Sequence, residues 1–455
     1  MAVVCRPPEF AWSPHSAKLS TQALHIQDDT LNIFRRPLLL ALLLVAAAQA
    51  GAADLYITAA GMVDTASGRY VESPALIVSG NRIVDVGRQG ELAVPGSAEV
   101  VDLGDATLLP GFMDMHVHLS SANKNISFLE AKLQSVPRLT VNAVRNARLT
   151  LMAGFTSVRD LGSTGTSVIA VRDGIDAGDI IGPRIWASGP ALGITGGHCD
   201  NNFFPPELKV RSEGVADGPW QARTRVREVI KLGANAIKFC ATGGVFSRGT
   251  TVGAQQYSLE EMTAIVDESH RRGMVVAAHA HGTQGIKAAI EAGVDSVEHA
   301  SILDAEAIRM AKKRGTVLSM DIYNTDYTQS VGKANGVPEE NLRKDREVAE
   351  VQRESFRSAV KAGVKMVFGS DAAIFPHGRN AGQFAVMVQY GMTEMQALQA
   401  ATVNAATLMK REDLGVLKPG ALADIVAVPA NPLDDIRSTE SVNFIMKDGV
   451  IYLAP

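Results

Sequence analysis

The sequence contains few cysteines and no marked excess of charge. The three cysteines, Cys5, Cys199 and Cys240, form neither a CxxC pair nor an even set, so the sequence indicates neither a disulfide framework nor a zinc site made of thiolates. The formal net charge of -4 and the absence of a basic cluster argue against nucleic acid as a partner. Any metal site in this chain must therefore use other ligands.

The N-terminal apolar run is too short to cross a membrane, because a spanning helix needs about 20 apolar residues. This run, PLLLALLLVAAAQA, follows Arg35 and Arg36 and ends with the small residues Ala48 and Ala50, which is typical of a cleaved secretory signal. We therefore expect residues 1–50 to be a leader and signal segment, and the protein to be periplasmic or secreted without a stable membrane anchor. An uncleaved anchor is the alternative, and residues 1–34 fit neither interpretation.

Both ends of the remaining chain have the pattern of short β-strands. Residues 51–110 contain LYITAAGMVD, PALIVSGNRIVDVG and AEVVDLGDATLLP, and residues 411–455 contain GALADIVAVPA and VNFIMKDGVIYL. Each segment is rich in β-branched and other apolar residues and is bounded by Gly, Asn or Pro. We expect the two ends to pair into one small β-sandwich beside the central part of the chain.

The central part, residues 111–410, alternates short apolar strands with helical stretches. The eight predicted strands are GFMDMHVHL, GFTSVRDL, RIWASGPAL, AIKFCATGG, MVVAAHAHG, DSVEHA, TVLSMDIY and KMVFGSD. Amphipathic segments such as SLEEMTAIVDESHRRG and DAEAIRMAKKRG separate them and predict helices. Eight such units predict an α/β fold of the (β/α)8 TIM-barrel type, in which the active site lies at the C-terminal ends of the strands.

Ionisable side chains do occur at those strand ends. His116 and His118 close the first predicted strand, but an HxH pair alone is weak evidence, because every second side chain of a strand points to the same side. The further candidates on later strands are Lys238, His279, His281, His299 and Asp371. Burying unpaired polar groups is costly, and imidazole and carboxylate ligands suit Zn²⁺ and similar ions. The convergence therefore predicts a metal centre.

Lys238 is an unusual member of this group, because an ammonium has no lone pair and repels a cation. A lysine buried among apolar strands near metal ions has a lowered pKa, and its neutral amine can add CO₂ to form a carbamate. The carbamate is anionic and has two oxygens, so it can bridge two metal ions about 3.5 to 4 Å apart.

The combined motifs resemble the binuclear branch of the amidohydrolase superfamily. The phrases LLPGFMDMHVHL, AAHAHGTQGIKAAIEAGVDSVEHAS, FGSDAA and LGVLKPGALADIVAV are similar, more narrowly, to the Xaa-Pro dipeptidase-like carboxypeptidases and the ochratoxin-hydrolysing amidohydrolases. The likeness covers about residues 54–455. It implies a hydrolase of amide or peptide bonds that commonly assembles into a homo-oligomer.

Carried onto this sequence, the resemblance implies two divalent ions, with zinc expected. His116, His118 and Asp371 would bind the first ion, His279 and His299 the second, and carbamylated Lys238 would bridge them. The nucleophile would be a hydroxide between the ions, with Asp371 moving its proton to the leaving amine. A purely ligating Asp371 is the alternative. The resemblance places His281 beside the metals or facing substrate, with direct ligation as the other option.

Three residues on predicted rim loops are candidate substrate contacts. His198 lies in the Gly-rich loop GITGGHCD, Tyr323 ends the seventh strand, and Arg248 follows the fourth. Tyr323 could hydrogen-bond a developing oxyanion or the substrate carboxylate, and Arg248 could pair with a free carboxylate. Each could instead be an ordinary loop or surface residue. Cys240 shares the inward face of Lys238, where we expect a packed, unpaired core thiol.

We conclude from the sequence that the protein is an exported enzyme that cleaves a peptide or N-acyl amino acid to release a C-terminal amino acid. Ochratoxin A, whose amide carries phenylalanine, is a possible substrate by resemblance only. The alternatives are a mononuclear deaminase or cyclic-amide hydrolase of the same superfamily and an inactive binding protein on the same barrel. Lys238 argues against the deaminase, and the complete set of ligands argues against the inactive protein.

Overall fold

The computed structural model describes residues 54–122 and 128–455. The predicted leader and signal segment, residues 1–50, lies outside the described residues. Within the two described ranges, every helix falls short of the length and apolarity that a bilayer crossing requires. The described residues belong to one compact unit, and the predicted domain boundaries within it remain predictions.

Seven strands precede the central α/β part of the chain. They are β1 (Leu55–Thr58), β2 (Gly61–Asp64), β3 (Arg69–Glu72), β4 (Pro74–Ser79), β5 (Arg82–Arg88), β6 (Glu99–Asp102) and β7 (Thr107–Pro110). Four of them form a sheet in the order β5-β4-β1-β6. The other three belong to a sheet that also contains strands from the far end of the chain.

The C-terminal strands complete that second sheet. They are β16 (Ile425–Val428), β17 (Phe444–Lys447) and β18 (Val450–Leu453), and the six-stranded order is β18-β17-β16-β7-β2-β3. β16 pairs antiparallel with β7, with Val426 opposite Leu109. Both sheets contribute side chains to one apolar cluster, including Ile57, Leu76, Leu108, Ile425 and Phe444. The two chain ends therefore share a sheet, and the sandwich arrangement remains a prediction.

Each of the eight predicted central segments contains a strand. The strands are β8 (Phe112–Val117), β9 (Phe155–Asp160), β10 (Arg184–Ala187), β11 (Ile237–Cys240), β12 (Val276–Ala280), β13 (Ser296–His299), β14 (Val317–Ser319) and β15 (Met366–Val367). Every pairing among them is parallel. Except in β10, where buried and half-buried residues alternate, their residues are buried throughout, as expected for strands covered on both faces.

The eight strands form two parallel sheets, not one continuous ladder. One has the order β10-β9-β8, and the other the order β11-β12-β13-β14-β15. Isolated parallel bridges join Val117 to Ala372 and Leu192 to Phe239, at the two places where neighbouring sheets approach. Closure into a complete barrel ladder remains a prediction.

Helices alternate with these strands in the predicted order. They are α1 (Phe128–Lys132), α2 (Val136–Met152), α3 (Ser167–Asp176), α4 (Pro219–Lys231), α5 (Leu259–His270), α6 (Thr283–Ala292), α7 (Ala305–Arg314), α8 (Asn324–Val331), α9 (Glu339–Ala362), α10 (Gly382–Gln389), α11 (Glu394–Ala400) and α12 (Val403–Leu408). Two short 3₁₀ helices also occur among the described residues, Pro206–Leu208 and Ile436–Glu440.

Local sequence signals explain where several helices begin and end. Ser258 and Glu261 form a capping box at the start of α5, and the Asp304 side chain accepts from the Ala307 N–H at the start of α7. Each arrangement satisfies a backbone donor that the first helical turn leaves without a partner. Gly315 ends α7 in the left-handed region with φ 73°, where a glycine avoids the steric cost of a Cβ.

A disulfide joins Cys199 to Cys240, with the two Cα atoms 5.9 Å apart. The prediction of a packed, unpaired core thiol at Cys240 is therefore wrong. The pair is separated by 41 residues, a spacing that carries no motif. The parallel bridge between Leu192 and Phe239 brings the loop after β10 beside β11, and this tertiary contact makes the pairing possible.

Candidate metal centre

Five of the six predicted metal-binding side chains lie near or just after the C-terminal ends of their strands, and Lys238 lies second in β11. His116 is in β8, Lys238 in β11 and His279 in β12, while His299 is the last residue of β13. All four are buried. His118 and Asp371 follow β8 and β15, and the Asp371 N–H donates to the His116 carbonyl across 2.7 Å. One end of the parallel strands thus gathers the whole predicted set.

Asp371 lies against both histidines of the HxH pair. Its Oδ1 is 3.3 Å from His118 Nε2 and 3.7 Å from His116 Nε2. Burial opposes ionisation of this carboxyl, but His116 and His118 hold its pKa well below the ordinary value. The Asp371 side chain is therefore an anion facing two ring nitrogens.

Lys238 is buried beside these groups. Its Nζ lies 3.5 Å from His116 Nε2. Burial lowers the pKa of Lys238 to about 8, although the carboxylates of Glu298 and Asp371 act in the opposite direction. The neutral amine is the form that adds CO₂, and the lowered pKa increases its share, so the environment suits the predicted carbamate.

Four histidines form the other side of the centre. Ring centroids are 4.6 Å apart for His279 and His299, 4.7 Å for His279 and His281, and 4.8 Å for His281 and His299. His198 stacks on His279 with centroids 4.1 Å apart. Burial, followed by the neighbouring histidines, lowers the pKa of His279 and His281 well below the ordinary value. Neutral imidazoles of this kind are the ligand form that a metal ion requires.

Two compact groups of ligand atoms emerge from these contacts. One is His279, His281 and His299, and the other is His116, His299 and Asp371; within each group the ligand atoms lie within 4.8 Å of one another. The first group includes His281, which the resemblance placed beside the metals or facing substrate. Its Nδ1 is 2.7 Å from Ser301 Oγ, so Nε2 is the ring nitrogen left for other contacts.

Acceptor groups orient three of the rings. His118 Nδ1 is 2.9 Å from the Gly162 carbonyl oxygen, and His299 Nδ1 is 2.8 Å from Asp321 Oδ1. A carbonyl or carboxylate oxygen only accepts, so each Nδ1 presents a proton to its partner, and Nε2 is the ring nitrogen left to face the centre. His116 Nδ1 faces Glu298 Oε2 across 3.1 Å in the same arrangement.

The backbone is in the left-handed region at two of these positions. His299 has φ 68° and Asp371 has φ 53°, conformations that cost non-glycine residues free energy and recur at functional sites. Asp114 holds the turn that precedes Asp371, since its carboxylate accepts from the Ser370 N–H and hydroxyl and from Asn380 Nδ2. Burial raises the pKa of Asp114 to about 6 despite these bonds.

The structure brings His198 into the centre through two contacts besides its stacking. Its Nδ1 is 2.8 Å from Ser247 Oγ, and the neighbouring Cys199 is disulfide-bonded to Cys240, two residues after Lys238. Burial lowers the pKa of His198 to about 3, with further lowering by His299 and Lys238. The loop after β10 is thus fastened to β11 beside the predicted metal ligands.

The other two predicted substrate contacts, Arg248 and Tyr323, have fewer contacts with the candidate metal centre. Arg248 is exposed on the loop that carries Ser247. The Tyr323 ring packs against Phe375 with centroids 4.9 Å apart, and no hydrogen bond of its hydroxyl is found among the described residues. The residue after it, Asn324, lies closer to the centre, since its Nδ2 donates to Asp371 Oδ2 across 3.4 Å.

Sequence reasoning missed the residues that hold the predicted ligands in place. Glu298, Asp321 and Asn324 contact His116, His299 and Asp371 respectively. One signal was available: DSVEHA and GFTSVRDL place Glu298 and Arg159 inside apolar strands, where a charged residue needs a partner. Which partner each one has was not legible, because it depends on strand packing.

The residues present fit a group of divalent ions. His279 Nε2 is buried with no hydrogen-bond partner within the described ranges, which is a costly arrangement for a polar atom unless it binds something else. Imidazole nitrogens, a carboxylate and a lysine of lowered pKa are a donor set typical of zinc and related ions. We therefore treat this region as a candidate metal centre.

The fold and the site define a hydrolase of the amidohydrolase superfamily. The model of the amidohydrolase family matches residues 107–452, and the chain belongs to that family. It is 31% identical to ochratoxinase of Aspergillus niger over 466 aligned positions, covering 97% of this chain and 94% of that relative. The resemblance seen in the sequence is thereby confirmed.

Solved structures give the same result. A Xaa-Pro dipeptidase with bound methionine in the active site superposes with a TM-score of 0.81 at 36% identity, covering 88% of this chain and 100% of that one. The A. niger ochratoxinase structure superposes with a TM-score of 0.80 at 29% identity, covering 89% of this chain and 96% of that one. These neighbours imply a TIM-barrel-like α/β fold and support amide hydrolysis.

Proposed function

We propose that the protein is a binuclear metal-dependent amidohydrolase that releases a C-terminal amino acid from a dipeptide or N-acyl amino acid. The observation that carries the proposal is the convergence of His116, His118, His279, His299 and Asp371 beside Lys238, with all of these residues except the half-buried His118 buried. The similarity to an ochratoxinase and to a Xaa-Pro dipeptidase supports the same kind of substrate. A prolidase complexed with N-methylphosphonate-L-proline, 31% identical to this chain, adds a further relative whose ligand carries an amino acid.

In this proposal His116, His118 and Asp371 would hold one ion, His279 and His299 would hold the other, and carbamylated Lys238 would supply a ligand to both. Zinc is the ion we expect. Bound there, the two ions would lower the pKa of a water molecule and polarise the scissile carbonyl. His281 is a second candidate ligand, favoured by its grouping with His279 and His299.

Asp371 is the residue best placed to move protons. Its Oδ1 faces the histidines, whereas its Oδ2 faces Asn324 Nδ2. It is ionised, so it has an oxygen that can accept a proton from the attacking water and return it to the leaving nitrogen. Asn324 would restrain the carboxylate in the orientation that both transfers need.

The rim residues would recognise the two ends of the substrate. His198, held by Ser247, and His281, held by Ser301, would contact the acyl side or the carbonyl oxygen. Arg248 and Tyr323 would contact the free carboxylate of the released amino acid. We propose hydrophobic or aromatic leaving residues first, with the phenylalanine amide of ochratoxin A as one test compound.

The cellular location and the oligomeric state predicted from the sequence are part of this proposal. We propose export to the periplasm or medium, on the basis of the signal-like segment 35–50 alone. A homo-oligomer is proposed by resemblance. Peptides and N-acyl amino acids are the small-molecule substrates that we propose for the site.

The test is metal content per chain, measured together with hydrolysis of a panel of dipeptides, N-acyl amino acids and ochratoxin A. The variants are Lys238→Ala and, as a buried lysine outside the site, Lys447→Ala. We expect nearly two ions and amide cleavage in the wild type and in Lys447→Ala, and loss of both in Lys238→Ala. One ion per wild-type chain, with ammonia released from an aminated ring or cyclic amidine, would identify a deaminase instead.

A further inference from the structure

A buried ion pair lies beside the predicted metal ligands. Arg159 of β9 and Glu298 of β13 are both fully buried, and Arg159 Nη2 donates to Glu298 Oε1 across 2.8 Å. The two residues are 139 positions apart, so the pair links distant strands of the barrel-like core. A buried pair of this kind adds little net stability, which leaves its placement to be explained.

Arg159 uses its donors on the two strands that carry His116 and His299. Its Nε donates to the carbonyl of Met115, the residue before His116, across 2.7 Å. Its Nη1 donates to Ser296 Oγ across 3.0 Å, and Ser296 Oγ donates to Glu298 Oε1 across 2.5 Å. Glu298 Oε1 therefore already accepts two hydrogen bonds, one from the guanidinium and one from the hydroxyl.

The second oxygen of Glu298 faces a predicted metal ligand. Oε2 lies 3.1 Å from His116 Nδ1. Their mutual orientation falls outside hydrogen-bond geometry, and neither atom has a hydrogen-bond partner in the described part of the chain, so proximity to the carboxylate is the contact that acts on this ring nitrogen. Because Arg159 keeps the carboxylate as an anion that can only accept, His116 has to present a proton at Nδ1.

We propose that the Arg159–Glu298 pair acts as a positioning device that fixes His116 in the Nδ1–H tautomer, with its Nε2 lone pair directed at the metal site. The inference rests on the proposed metal-dependent function and deepens it. Carboxylates that accept from the non-ligating nitrogen of a histidine commonly set its orientation and its strength as a ligand. Here Arg159 in turn sets which oxygen of Glu298 is available.

The Glu298→Gln variant has a specific consequence under this proposal. Arg159 and Ser296 both donate to the atom at the position of Oε1, so the new side chain has to place its amide oxygen there. Its amide nitrogen then takes the position of Oε2 and donates to His116 Nδ1. The ring then carries its proton on Nε2 and has no lone pair for the metal. We expect metal affinity to fall about 10- to 100-fold, with loss mainly of the ion nearest His116.

The experiment measures zinc affinity by chelator competition, and the electronic spectrum of the cobalt-substituted protein, for wild type, Glu298→Gln and Glu298→Asp. The control is Glu268→Gln, which removes a carboxylate of α5 that pairs with Arg227 of α4 and with Arg272. We expect weakened binding in Glu298→Gln, partial recovery in Glu298→Asp, which keeps an acceptor-only group, and wild-type binding in the control.

A second measurement does not depend on the variants folding. The ¹⁵N shifts of the imidazoles in metal-free wild-type protein report the tautomer of each ring, and His116→Gln assigns the relevant signals. We expect protonated Nδ1 and unprotonated Nε2 at His116. The opposite tautomer there, or a folded Glu298→Gln variant that binds two ions with wild-type affinity, overturns the proposal. A wild type that binds no metal contradicts the proposed function instead and leaves the tautomer measurable.

Discussion

His198 stacks on His279, with ring centroids 4.1 Å apart and ring planes 21° apart. One residue belongs to the loop after β10, and the other is a predicted metal ligand in β12. The contact means that the position of a loop histidine and the position of a ligand histidine depend on each other. Changes on the loop side are therefore expected to affect the centre.

The first prediction concerns Gly244, which leaves room for the His198 ring. A Cβ added at Gly244 would lie 2.4 Å from His198 Cε1, so Gly244→Ala has to displace a ring that is already held by His279 and Ser247. We expect kcat/KM for amide substrates to fall by about 10²-fold, the effect of a misplacement near 1 Å. Steady-state kinetics on the best substrate of the panel measures this.

The matched control is Gly96→Ala, because a Cβ at Gly96 meets nothing within 4 Å. It should leave kcat/KM unchanged. Equal activity of Gly244→Ala and wild type would mean that His198 does not contact substrate or support the metal-binding histidines.

The second prediction concerns the Cys199–Cys240 disulfide. Replacing both cysteines by serine releases a loop of 41 residues, which we expect to lower the free energy of unfolding by about 3 to 4 kcal/mol. The loop carrying His198 also loses its attachment to β11, so KM should rise. Thermal unfolding and kinetics, each with and without dithiothreitol, measure both effects.

Dithiothreitol should affect the wild type and have no further effect on the double serine variant. A wild type that is insensitive to the reductant, and whose cysteines react with a thiol reagent without prior reduction, would contradict the disulfide.

The third prediction concerns Asp371. Asp371→Asn keeps the shape of the side chain but cannot accept the proton of the attacking water, so we expect kcat to fall by about 10²- to 10⁴-fold. Metal content has to be measured on the same sample, because Asp371 is also a proposed ligand. Lost activity at full metal occupancy would identify proton transfer as the role of Asp371. An equal loss of activity and of bound metal would identify metal ligation instead.

The fourth prediction is a pH dependence of stability at α5. Hydrogen bonding to Arg227 is the main cause that lowers the pKa of Glu268 to about 2, with Arg272 acting in the same direction and burial opposing it. A carboxyl with a lowered pKa in the folded state stabilises the protein above its ordinary pKa of 4.5 and loses that contribution as the pH falls toward 2. We expect Glu268→Gln to destabilise by about 1 kcal/mol at pH 7, with the difference shrinking below pH 4.5.

Urea unfolding of wild type and Glu268→Gln between pH 7 and the lowest pH at which both remain folded measures this difference. Glu260→Gln, on the same helix, controls for the loss of one carboxylate. If the difference in the free energy of unfolding between wild type and Glu268→Gln stays constant as the pH falls, the pKa of Glu268 is not lowered by its arginine partners.

Much of the fold was predictable because its signals are periodic and local. The eight apolar segments and the helices between them appear in the predicted order, and strand ends collect the ionisable residues as parallel-strand geometry requires. The prediction that β-strands at both chain ends pair also holds, through β7 and β16. These features follow from patterns that a single sequence carries.

The unpredicted features depend on contacts between distant strands. The sequence spacing of Cys199 and Cys240 contains no motif, and their pairing depends on how β10 and β11 lie side by side. Glu298 and Arg159 were visible as charges in apolar strands, but their connection to His116 requires the packing of β8, β9 and β13. The grouping of His281 with His279 and His299 depends in the same way on ring orientations that alternation along a strand cannot define.

The pairing of β7 with β16 has a consequence for the order in which the protein is made. Thr107–Pro110 is synthesised early, yet its partner Ile425–Val428 is added only after all eight central strands. The six-stranded sheet can therefore be completed only after nearly the whole chain has been translated, and such long-range pairing forms slowly. A stop codon just before Phe444 would leave β16 as an unprotected edge, although every proposed catalytic side chain would already be present.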